Sequence, residues 1–118
     1  MTLLLLVGTV GCVLANAFEV AAKIAKAQFV LQNASEVGVP RRWIPSLAFL
    51  EGAGTAGVIL GLLGLPWLGV AAAAGLVLFF VGAVTAHVRA GVLHNIAFPA
   101  TFLLLAIVAL GHFVAVLV

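Results

Sequence analysis

Aspartate and tyrosine are absent from the sequence, and cysteine occurs once, at Cys12. A single Cys excludes an internal disulfide and any multi-cysteine metal or iron–sulfur centre. Its apolar surroundings make it a small packing residue rather than a reactive thiol. Charge is nearly as scarce: five Lys and Arg stand against three Glu, a formal net charge of +2. A surplus that small does not build a nucleic-acid surface, despite a pI near 9.3, so no nucleic-acid partner is expected. Neither His-x-x-x-His nor Glu-x-x-His spacing occurs, and no metal site is expected. No facing pair of axial ligands for haem and no nucleotide-binding glycine loop is evident, so no cofactor is expected either.

What the sequence has instead is apolar length. Hydrophobic residues make up 66% of the chain and mean hydropathy is +1.41. A soluble domain of 118 residues cannot hide that much apolar surface. The chain reads as an all-α integral membrane protein, one domain over residues 1–118. A spanning helix needs about 20 apolar residues. Four stretches qualify, at about 3–24, 44–65, 67–88 and 96–118. The first lacks the basic n-region of a signal peptide, so it is read as a retained span. Pro66, in "GLPW", is read as the stop of the second helix, and "RAGVLHN" as a short turn before the fourth. Residues 25–43 are too short and too polar to span. They read as an interfacial, partly helical segment anchored by Phe29 and Trp43, with a flexible loop as the alternative.

All five basic residues, Lys23, Lys26, Arg41, Arg42 and Arg89, fall at the first or third connection. The positive-inside rule then predicts these connections in the cytoplasm of a bacterial-type inner membrane, with both termini and the Pro66 turn outside. Gly54, Gly57, Gly61 and Gly64 form a strip on the second helix. Gly69, Gly75 and Gly82 lie on the third, and Gly8, Gly11 and Ala15 on the first. Small-residue strips let helices approach closely in lipid, which predicts a compact antiparallel four-helix bundle.

Polar residues interrupt this pattern at one level. Asn16, Glu19 and Lys23 fall within about 60° on the first helix, and Glu19 precedes Lys23 by four, the favourable order for a helical ion pair. Glu51 sits about 10 Å into the second helix, on the Gly54 and Gly61 face. His87 ends the third helix, and His94 and Asn95 open the fourth, where Asn95 is placed to cap it. Four helices thereby send polar groups to one end, leaving the other half nearly all aliphatic. Each has an ordinary reading: Lys23 snorkels, the His residues are interfacial, and the Asn residues bond between helices. Intramembrane carboxylates are functional-site candidates by default, so Glu19 and Glu51 are singled out. His112, in the opposite half, reads as an interhelical or outer-interface residue.

The order of features resembles the DoxX-like family of small four-helix membrane proteins. The features are "ANAFEVAAK", a Glu heading a Gly-rich helix in "IPSLAFLEGAGTAG", the "GLPW" turn, "GAVTAHVRAG" closing the third helix, and "HNIAFP". The resemblance implies the fold and marks Glu19, Glu51, His87, Arg89 and Asn95. It assigns no reaction. The family's name comes from a membrane subunit linked to thiosulfate:quinone oxidoreduction, and relatives include redox-complex partners and a receptor-assembly chaperone.

Three functions therefore stand open. The first is acid/base catalysis by Glu19, Glu51 and Lys23 on a lipophilic, isoprenoid- or quinone-like molecule entering from membrane lipid. Asn16, His87, Arg89, His94, Asn95, Phe80 and Phe98 would bind it. Partial burial of one carboxyl, with Lys23 holding the other ionised, would set an acid beside a base. Isomerisation, epoxide opening and cyclisation need no cofactor. The second is a membrane subunit that binds quinone or docks a soluble redox partner, with Arg41, Arg42 and Arg89 as the docking patch. The third is an assembly or chaperone protein that pairs its glycine strips with other helices, a second copy of the chain included.

Overall fold

A computed structural model describes residues 1–118. Helix α1 (Thr2–Ile24) leads to a short α2 (Gln28–Glu36) and a single 3-10 turn at Arg41–Trp43. Then come α3 (Ile44–Leu62), α4 (Pro66–Ala90) and α5 (Ala97–Leu117). The four long helices are long and apolar enough to cross a bilayer, α3 being counted with the turn before it. Only 22 residues are buried, so most apolar side chains, such as Leu14, Phe49, Leu78 and Ile107, face outward. That outward face suits hydrocarbon and would be an aggregation surface in water.

Helix α1 packs on α3 and α5, and α4 packs on the same two, closing a ring of four. The pairs run antiparallel. Gly8 and Gly11 of α1 lie against Val108 and Leu105 of α5, while Gly54, Gly57 and Gly61 of α3 lie against Leu76, Ala72 and Gly69 of α4. The core comprises Val58, Leu76, Phe80 and Phe113, with Cys12 buried among them as a packing residue.

The glycines do not all serve this packing. A Cβ on Gly61 would lie 2.6 Å from the Gly69 Cα, so that crossing is closed to larger residues. Gly64 is not part of the strip: with φ +122 it makes the turn after α3. Gly75 and Gly82, expected to pack, have nothing within 4 Å of a built Cβ. Pro66 does not stop the second span. Helix α3 ends at Leu62, and Pro66 begins α4, where its missing N–H would have had no partner in any case. Helix α4 continues past Val88 to Ala90 and ends on Gly91 in the left-handed region, φ 70. His94 and Asn95 precede α5 rather than open it. No side chain caps α5; the Asn95 carbonyl accepts from the Phe98 N–H instead. The other half is not purely aliphatic, since Thr9 and His112 are buried there. Thr9 donates to the Leu5 carbonyl, and His112 packs edge-on to Phe113.

Candidate functional site

All five Lys and Arg residues lie at one end of the bundle, called the basic end below. There the polar residue of α1 nearest its C-terminus reaches across to α3. Lys23 Nζ donates to Glu51 Oε1 at 2.6 Å and lies 3.4 Å from Glu19 Oε2 one turn back on its own helix. The helical spacing foretold the longer of these contacts and not the shorter. Glu51 is fully buried, whereas Glu19 and Lys23 keep side-chain exposures of 21% and 14%. Burial of a carboxylate is tolerable only when it is paired, and Lys23 is its partner. The Lys23 ammonium also lies 6.0 Å from the centre of the Phe79 ring.

An open cavity of about 810 Å³ adjoins this cluster, lined by α1, α2, α4, the start of α5 and, at the start of α3, Trp43, Ile44 and Leu47. Glu19, Lys23, His87, His94 and Asn95 line it together with Phe80 and Phe98. Its apolar body is aromatic: Phe79 meets Phe80 edge-on at 5.0 Å, and Phe80 meets Phe102 at 5.3 Å. A lipophilic body and a polar end thus share one space, as ligand sites require.

His87 shows how the polar end is wired. Its Nδ1 lies 2.9 Å from the Ala83 carbonyl. A carbonyl only accepts, so Nδ1 carries a proton, and in that tautomer of the imidazole Nε2 is an acceptor. That Nε2 is buried without a protein partner, as are Asn95 Oδ1, Glu51 Oε2 and Asn16 Oδ1.

The structure also separates residues that the helical face had grouped. Glu51 stands behind Lys23 and does not line the cavity. Asn16 is buried in the bundle, where its amide donates to the Cys12 carbonyl at 2.9 Å. Arg89 is exposed and does not line this cavity. Sequence reasoning missed α2 as a wall. Val30 is buried, Gln32, Asn33 and Val37 line the cavity, and Phe29 stacks on Phe18 of α1 at 6.2 Å. His94 Nε2 reaches Glu36 Oε2 of α2 at 3.6 Å, tying the α4–α5 turn to that wall. Phe29 and Val30 beside Gln32 and Asn33 were the available signal: an amphipathic pattern too short to span.

No curated protein and no solved structure matches the chain. The DoxX-like family matches it over residues 7–109, from within α1 to within α5 and so across all the site elements described above; the chain belongs to the DoxX-like family and is an integral membrane protein.

Proposed function

We propose that this protein binds a lipophilic small molecule bearing a hydroxyl at its polar end, and performs acid/base chemistry on it without a cofactor. The carrying observation is the Glu19–Lys23 pair on the wall of an aromatic cavity, with Glu51 paired to Lys23 from behind. One ammonium faces two carboxyl groups, so the trio is neutral only with a further proton held in it. That is a donor and an acceptor side by side, the requirement for isomerisation, epoxide opening or proton-initiated cyclisation. Glu19, on the cavity wall, exchanges the proton, Lys23 orients and balances it, and Glu51 holds Lys23 from behind.

The ligand class follows from hydrogen-bond complementarity. The unpartnered buried atoms among the lining side chains are Asn95 Oδ1, an acceptor, and His87 Nε2, an acceptor in the Nδ1–H tautomer. A hydroxyl has one O–H and satisfies one of them, whereas a group that only accepts leaves both unpaired at a cost of about 1–3 kcal/mol each. By the same count a quinol fits better than a quinone, which refines the redox-subunit reading. A partner-helix role finds less support, because Gly57 and Gly61 are buried against α4.

Trp43 lines the cavity and Trp67 does not, so a Trp67→Phe protein reports from one place. Titration with a long-chain prenol and with its methyl ether tests the class. The prenol should perturb Trp43 fluorescence at least tenfold more tightly than the ether. Equal affinity, or no response to either, would overturn the reading.

A further inference from the structure

A groove of about 860 Å³ lies on the other flank of Lys23, which borders both spaces. Its walls are α1 and α3, and its rim carries Lys26, Arg41 and Arg42. No carboxylate lines it, and none of these three cations takes part in an ion pair. Lys23 is no free cation here, being turned to its carboxylates. Lys26 is held at the rim by a left-handed backbone, φ 55, unusual for a residue with a side chain.

Away from the rim the groove is apolar, walled by Val20, Ile24, Phe49 and Ala53. Ile24 and Phe49 are exposed on the outer face of the bundle, so the groove meets surrounding lipid. Along α3, Ala53 is about 16 Å beyond Arg42, the length of much of an acyl chain. Three unpaired cations above an apolar wall complement a phosphate head on a hydrocarbon tail. Free phosphate would match the rim and leave the wall unused; a neutral lipid would match the wall and leave the cations unused.

We propose that this groove seats one anionic phospholipid, with its phosphate on Lys26, Arg41 and Arg42 and an acyl chain along Val20, Phe49 and Ala53. The site is separate from the acid/base cavity and stands whether or not that cavity is catalytic.

Native mass spectrometry of the whole protein, exchanged into micelles with phosphatidylglycerol or phosphatidylcholine, tests this. One phosphatidylglycerol should be retained and phosphatidylcholine lost, with inorganic phosphate unable to displace the lipid. Arg41→Gln, Arg42→Gln and Lys26→Asn should each weaken retention about fivefold, the worth of one interfacial cation. Lys26→Asn removes the charge while keeping a residue that tolerates the left-handed backbone, so its fold is secure. Arg89→Gln, outside the groove, should leave retention unchanged. Equal retention of phosphatidylcholine, displacement by phosphate, or an equal loss with Arg89→Gln would each overturn the proposal.

Discussion

Lys23 and Glu51 lie 28 positions apart in the chain, yet their side chains meet at 2.6 Å, joining α1 to α3 at the basic end. Glu51 has no exposure, so its charge depends on this partner. Lys23→Met should therefore destabilise the protein by about 3–5 kcal/mol, the range for breaking a buried pair from one side. Adding Glu51→Leu should recover most of that loss, because no buried charge is then left alone. Denaturant unfolding in micelles measures both. Losses that simply add in the double variant would show that the two side chains do not act as a pair.

Glu19 carries the proton transfer in the proposed chemistry and borders the cavity. Glu19→Gln should lower turnover by about 10²–10⁴-fold while the prenol still binds. The check is turnover of whichever lipid copurifies with the protein and is consumed by it. Unchanged turnover with Glu19→Gln would remove Glu19 from the chemistry, and lost binding would make it a ligand contact only.

The α3–α4 crossing should discriminate sharply between glycines. A Cβ at Gly61 would sit 2.6 Å from the Gly69 Cα and 2.8 Å from the Phe113 ring, so Gly61→Ala should cost about 1–3 kcal/mol. Gly75 lies inside α4 with open space around it, so Gly75→Ala should stabilise the helix by about 0.5–1 kcal/mol. Thermal melts of the two variants should move in opposite directions.

Orientation is testable with Cys12, whose burial makes the native thiol a silent background. The distribution of basic residues predicts that Arg42→Cys is labelled by an impermeant maleimide only after the cells are opened, and Leu65→Cys in intact cells. The reverse pattern would invert the topology.

The class and the element order were legible in the sequence. Four apolar runs of spanning length, broken near Pro66 and Gly91, leave a chain in lipid few alternatives to helices. The polar level was legible too, since Glu19, Lys23, His87, His94 and Asn95 do gather on one cavity. Helical spacing relates residues along one helix, however, and says nothing about which helix faces it or at what rotation. Those choices were made by packing: the closure at Gly61 and Gly69 sets α3 against α4, and the ring places Glu51 beside Lys23. The same packing turned Asn16 toward Cys12, left Arg89 outside, and brought α2 up as a wall. Sequence alone determined that charged groups share one end of a membrane bundle. Only the tertiary structure decided that Lys23 stands between an aromatic cavity and a basic groove, because that depends on contacts between helices far apart in the chain.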